Sequence, residues 1–327
     1  MTDSSNQPLV GIALPVYNRV KYFRECLEHI QAQTYTNWVC YITDNACTDG
    51  SSEIAQEFAA KDPRFKVFRN SETLIAYKNW NVALGRLLDV PAKYIKFECS
   101  DDWMFPNCLE EMVALHEKYD NLGAVYAYRL AGNKVDCDGL DINEGEVIEG
   151  KTMLRKSLRL NIIGGLGQAL YRKETMLSYA PDLHVINENN IHCDVEMNDN
   201  VMLRSDIGFI FKVLTFYRYH DGQILSFAQK AQTMYADGVR RIKMISDMFP
   251  EEKEFYHQYR LEYAEFLMKC RKKGEREILD WHKEHLSIPI TEDEYKEAAR
   301  LRRKQLRHEI KNDFARILST YRWRKHN

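Results

Sequence analysis

Apolar and polar positions along the first third of the chain switch repeatedly between a strand period and a helix period. Residues 9–14 form an apolar run that ends at Pro15, the pattern of a buried strand stopped by a residue with no N–H. Over 20–33 the apolar positions Tyr22, Phe23, Leu27, Ile30 and Ala32 recur at helical spacing. Trp38 to Ile42 predicts a second strand running into Asp44, and 52–60 a second helix. Lys66 to Phe68 predicts a third strand, Ala76 to Leu88 a third helix, and Tyr94 to Phe97 a fourth strand delivered into Ser100, Asp101 and Asp102. Strands and helices alternating in this way predict parallel pairing with right-handed crossovers. Such sheets bind ligands beyond the carboxyl ends of their strands. Three strand ends carry chemistry there: Pro15, Val16, Tyr17 and Asn18 after the first, Asp44 after the second, Asp101 and Asp102 after the fourth.

Beyond residue 120 the rhythm changes. Residues 123–128 predict a strand, 130–150 a hairpin or loop, Lys151 to Leu158 a short helix, and 162–167 a glycine-rich loop. From about 226 onward helical spacing dominates, broken by Pro250 and Pro289. The predicted organisation is an α/β domain over 1–225, with halves at about 9–120 and 121–225, and a helical region over 226–327.

Composition narrows the class. With 327 residues, 45% apolar and 29% charged, the chain reads as globular. No apolar run approaches the roughly 20 residues of a membrane span. The polar start, Met1 to Asn6, has no apolar leader segment, which predicts a cytoplasmic protein. Eight cysteines without a Cys-x-x-Cys pair read as reduced thiols rather than zinc ligands. The net charge of −2 hides an asymmetry: residues 296–327 hold eleven Lys and Arg against three Asp and Glu. An acidic body with a basic tail argues against nucleic acid as a partner. In the tail, Leu306, Ile310, Phe314, Ile317 and Tyr321 make an apolar stripe ringed by arginines and lysines. That stripe fits two readings, peripheral contact with an anionic membrane or packing on the preceding helices.

Adjacent aspartates at a buried strand end repel each other, and a divalent ion is the usual remedy. Oxygen ligands favour Mg²⁺ or Mn²⁺. The alternative is a solvated pair, one member capping a helix that starts near Pro106. Val10 to Arg19, Gln33 to Trp38, Thr43 to Ser51, Asn79-Trp80-Asn81 and Tyr94 to Pro106 together resemble glycosyltransferase family 2 over about residues 9–225. The resemblance implies a GT-A fold, that is, a Rossmann-like, mostly parallel sheet with helices on both faces. It also implies a nucleotide-sugar donor, a divalent ion (Mn²⁺ or Mg²⁺) and inversion at the anomeric carbon.

By the same resemblance, Asp44 matches the aspartate that contacts the base, and Pro15, Val16 and Tyr17 the loop lining it. Asp101 matches the ribose contact and Asp102 the metal ligand, while Lys78 lies where a cation can reach the diphosphate. Two positions depart from the family pattern: Asn45 stands for a second aspartate, and Ser100 for the first acid of Asp-x-Asp. Inverting transfer needs a base for the acceptor hydroxyl. Asp194 stands in that position, with Glu196 as second candidate and helix N-capping as the other reading of Asp194. Tyr217-Arg218-Tyr219-His220 resembles a terminal family element whose histidine ligates the ion in some members; hydrogen bonding to the diphosphate is the alternative for His220. Gly164 and Gly165 match a region lining the acceptor pocket, although turn geometry alone also accounts for them.

The reading is therefore an inverting, metal-dependent transferase moving a sugar, by family habit from a UDP-sugar, onto a glycan or lipid-linked acceptor in surface-polysaccharide synthesis. Its competitors are an inactive nucleotide-sugar-binding scaffold, motivated by Asn45 and Ser100, and a nucleotidyltransferase, disfavoured by the lack of a glycine-rich basic loop after the first strand.

Overall fold

The computed structural model describes residues 7–160, 162–188, 192–220, 227–285 and 288–305. The basic stripe of the tail from Leu306 onward lies outside them. The chain divides into two compact units, 1–224 and 225–327.

The first unit is built on a ten-stranded sheet. Its opening strands are β1 (Val10–Val16), β2 (Trp38–Asp44), β3 (Phe65–Arg69) and β4 (Tyr94–Phe97), with α1 (Val20–Gln31), α2 (Ser51–Lys61) and α3 (Ala76–Gly85) between them. All three pairings among these strands are parallel, in the order β3-β2-β1-β4. Every residue of β1 and β4 is buried, as expected of strands covered on both faces. On α1 the buried residues Phe23, Cys26, Leu27 and Ile30 form one stripe against that sheet. The order in which successive strands are added reverses at β1, with β2 and β3 on one side and β4 on the other, which opens a crevice at the carboxyl ends of β1 and β4.

β1 continues through Pro15 to Val16 rather than ending at the proline. The carbonyl of Ala13 accepts from Glu98 on the β4 side, and that of Val16 accepts from Asn45 on the β2 side. Pro15, two residues after Ala13, therefore turns its missing N–H toward β4, whose pairing with β1 has already stopped at Phe97.

The second half of the unit comprises β5 (Trp103–Met104), α4 (Cys108–Lys118), β6 (Leu122–Ala131), β7 (Lys134–Asp136), β8 (Val147–Ile148), α5 (Gly150–Lys156), β9 (Leu170–Arg172), α6 (Lys173–Leu177), α7 (Cys193–Met202) and β10 (Asp206–Tyr217). Sheet order continues β4-β9-β6-β10-β5. β6 and β10 are parallel, but β9 runs against both β4 and β6, so the strictly parallel pattern of the first half breaks there. β6 and β7 form the hairpin expected within 130–150.

The second unit contains α8 (Phe227–Met248), α9 (Lys253–Lys273), α10 (Arg276–His285) and a helical stretch at 292–305. Val239, Tyr263 and Leu267 form one buried cluster and Leu261, Ala264 and Ala298 another, and the Tyr263 hydroxyl bonds His282 Nδ1 at 2.6 Å. Among the described residues no helix is long and apolar enough to cross a membrane.

Candidate active site

The loops after β1 and β2 are tied to each other. α1 has no side-chain cap of its own. Instead, Asp49 Oδ2 accepts from the Val20 N–H and Ser51 Oγ from the Arg19 N–H, each at 2.9 Å. Asn18 and Ala46, in the same two loops, hold the left-handed backbone region, with φ of 49° and 56°. Such strain persists only where neighbours over-determine the conformation. At Asn18 the neighbour is Thr48, whose N–H donates to Asn18 Oδ1.

Asp44 is the last residue of β2 and is buried. Its Oδ1 accepts from the Cys47 N–H at 2.8 Å, and its Oδ2 accepts from Ser52 Oγ at 2.6 Å and Arg69 Nη1 at 2.5 Å. Burial pushes its carboxyl up, but these bonds outweigh burial and hold it below the ordinary range. The Cys47 thiol also bonds this carboxylate, whose side chain is 1% exposed. Asn45 is no vacated acid: its amide bonds both the N–H and the carbonyl of Leu74, and accepts from Asn70. Pro15 and Val16 are buried within β1, while Tyr17, the next residue, is 46% exposed. Lys78 is exposed on α3.

At the tip of β4 the two aspartates have different surroundings. Asp101 Oδ2 accepts from Arg19 Nε at 3.0 Å and lies 2.9 Å from His220 Nε2. Asp102 is nearly buried, and its Oδ1 accepts from the Arg218 N–H at 2.8 Å. Arg218 also donates from Nε to the Asp101 carbonyl and pairs with Glu25 at 2.5 Å. Neither aspartate caps α4, whose N-cap position is Asn107. Burial, and after it the charge of Asp101, push the Asp102 carboxyl well above the usual carboxylate range.

Cys99 Sγ and one carboxylate oxygen each from Asp101 and Asp102 lie within 4.8 Å of one another, the one such grouping among the described residues. His220 sits on Asp101 and is not part of it. Burial also holds the Cys99 thiol in its protonated form, so the hard donors of the group are the two carboxylates. That set suits Mn²⁺ or Mg²⁺. A dication there would relieve the cost recorded in the raised Asp102 carboxyl. Ser100, which precedes the two aspartates in the chain, is buried.

The glycine-rich loop connects this tip to α7. A Cβ placed on Gly167 would lie 3.8 Å from the Phe97 carbonyl and 4.0 Å from Cys99 Sγ. One placed on Gly165 would lie 3.7 Å from Asp194 Oδ2, and at Gly164 it would run into the Arg129 guanidinium. Asp194 is the second residue of α7, not its N-cap, which is His192. Two residues along a helix rotate a side chain by about 200°, so Glu196 points the other way. It lines a separate cavity of about 430 Å³ with Asn187, Asn200 and Arg204. Sequence reasoning passed over Arg19, Arg129 and Arg218. Arg218 belongs to the same Tyr-Arg-x-His element as His220, and that was the available signal.

The fold is that of GT-A glycosyltransferases. Residues 1–349 of TarS from S. aureus, in complex with UDP-GlcNAc, align with a TM-score of 0.55 at 18% identity, over 73% of this chain and 65% of that one. The mannosyltransferase PcManGT from Pyrobaculum calidifontis, in complex with GDP-Man and Mn²⁺, aligns with a TM-score of 0.55 at 12% identity, over 90% of this chain and 84% of that one. Residues 12–177, just over half of the chain, match Glycosyl transferase family 2, and the chain belongs to this family of glycosyltransferases. Glycosyltransferase GlyG of Streptococcus pneumoniae is 26% identical over 66% of this chain and 73% of its own length. Putative glycosyltransferase EpsH of Bacillus subtilis is 36% identical over 32% of this chain and 30% of its own.

Proposed function

We propose that the protein is an inverting, metal-dependent glycosyltransferase that takes its sugar from a nucleoside-diphosphate donor, with UDP as the first nucleotide to test. The observation that carries this reading is the meeting of two acidic centres across one loop. Asp101 and Asp102 stand at the β4 tip beside Cys99, and Asp194 faces Gly165 five residues before the start of the strand that pairs with β4.

In this reading Tyr17 and Asp44 receive the base, with Pro15 and Val16 forming the strand end beneath it. Asp101, fixed by Arg19 and His220, faces the ribose. Asp102 and Asp101 would hold Mn²⁺ or Mg²⁺, which when bound supplies positive charge to the departing diphosphate. Lys78 and His220 add cationic or hydrogen-bonding groups on the same side; with His220 on Asp101, we assign it to orientation rather than ligation. Asp194 takes the acceptor hydroxyl proton as that oxygen attacks the anomeric carbon, and Gly164 and Gly165 leave the acceptor space against the backbone. The acceptor we infer is a glycan or lipid-linked glycan of a surface polysaccharide, built on the cytoplasmic side of the membrane.

The scaffold alternative loses one of its motives, since Asn45 has its own structural work. The test is a hydrolysis screen of UDP- and GDP-sugars with Mn²⁺ and with chelator. Release of nucleoside diphosphate that needs the ion supports the proposal. Nucleotide binding without release from any donor, over a broad acceptor panel, would favour the scaffold.

A further inference from the structure

One fully buried ion pair stands beside the site and has no part in the mechanism above. Lys96, in the middle of β4, has no exposed surface, and its ammonium lies 3.3 Å from Glu98 Oε2, itself 2% exposed. An apolar pair of similar volume would normally serve such a strand as well or better, because desolvating two charges costs about what their attraction returns. The pair therefore calls for another explanation, and the contacts of Lys96 supply one. Its ammonium donates to the carbonyl of Gly167 and lies 3.4 Å from that of Phe97.

Gly167 belongs to the loop that faces Asp194. The other end of that loop is fastened independently. Gln168 Nε2 donates to Ala127 O at 2.7 Å and Ile162 O at 3.1 Å, its Oε1 accepts from the Gly164 N–H, and its own N–H donates to Gly165 O at 3.1 Å. Gln168 thus sets the internal shape of the loop and ties it to β6. Lys96 ties it to the strand that delivers Cys99, Asp101 and Asp102.

We propose that Lys96 is a positioning residue for sugar transfer: it bolts the Gly164–Gln168 loop, and with it the surface facing Asp194, to the strand end bearing Asp101 and Asp102. Glu98, whose Oε2 lies 3.3 Å from the ammonium, packs against it within the sheet. This role rests on the assignment of Asp194 and Asp102 made above. Misplacement of reacting groups by about 1 Å can cost about 100-fold in rate, and that is the loss expected when the bolt is removed.

The test is the double variant Lys96→Met with Glu98→Leu, which removes both charges and strands neither. Three measurements are made on the full chain: amide hydrogen exchange over 162–168, UDP affinity by calorimetry, and Mn²⁺-dependent hydrolysis of UDP-hexoses. Expected are a thermal midpoint no lower than wild type, faster exchange confined to 162–168, unchanged UDP affinity, and kcat lower by about 100-fold. Unchanged loop exchange overturns the proposal, and so does a loosened loop with undiminished kcat. If the double variant does not fold, Lys96→Met alone is measured the same way, since burial already favours the protonated form of Glu98. A wild-type protein inert toward every nucleotide sugar would overturn the proposed function and this catalytic role with it, while the exchange rates would still decide whether Lys96 anchors the loop.

Discussion

Replacing Asp102 by Asn should stabilise the ion-free protein while removing its response to Mn²⁺. Asp102 is buried, and a carboxylate oxygen of Asp101 lies within 4.8 Å of one of its own. At that separation and an effective dielectric of about 20, two full negative charges repel by about 3 kcal/mol. Arg19 already neutralises part of Asp101, and the Arg218 N–H offsets part of the cost at Asp102, so a net penalty of about 1–2 kcal/mol is expected. Protonation caps it: between the ordinary Asp range and pH 7 lie about three pH units, or about 4 kcal/mol. Asn keeps an oxygen for the Arg218 N–H and carries no charge. In chelator at pH 7, Asp102→Asn should therefore melt about 2–8 °C above wild type, at about 2–4 °C per kcal/mol for a domain of this size. Saturating Mn²⁺ should raise the midpoint of wild type and leave the variant where it was. Scanning fluorimetry with and without the ion reads both effects. A variant less stable than wild type in chelator, or an equal Mn²⁺ response in the two proteins, would refute the reasoning.

Three further outcomes are expected. Asp194→Asn should lower kcat by about 10²–10⁴-fold with nucleotide affinity retained, whereas Glu196→Gln, on the opposite face of α7, should lose far less; steady-state kinetics beside calorimetry separates them. Lys173→Met should destabilise the fold by about 2–3 kcal/mol in urea titration, because the buried ammonium caps three carbonyls past α3, those of Leu87, Leu88 and Val90. His116 is buried against Tyr94 with Nε2 on the Leu170 carbonyl, and burial lowers its imidazole to about 4. The unfolded chain therefore binds a proton through the window between pH 6.5 and about 4 that the native state refuses. Stability should fall by about 3 kcal/mol as pH drops through that window, and His116→Phe should flatten this part of the profile.

Much of the donor half was legible because burial on both faces writes β1, β2 and β4 as apolar runs, and because the acids that follow them are local in sequence. Pro15 misled only in where it ended its strand: a missing N–H stops pairing on one side, and here that side was already open. β5 and β9, two and three residues long, are too short to leave a period, and β9's reversed direction depends on a loop that sequence periodicity does not orient. Lys96 reaches the Gly167 carbonyl 71 residues away, Asn45 reaches Leu74 29 residues away, and the Arg129 guanidinium abuts Gly164, so these tasks are tertiary, and a buried lysine in a strand reads locally as a misfit. The choice between Asp194 and Glu196 was available in principle, since helical phase alone separates them once α7 is recognised.

The three residues of β9 form the lateral seam between β4 and β6, and they run against both neighbours. A sheet stitched along so narrow a line can be cut there with little loss of pairing on either side. On the function proposed above, the panel that would receive the nucleotide and the panel that would receive the acceptor can then diverge at different rates, provided Leu170, Tyr171 and Arg172 keep their stitches.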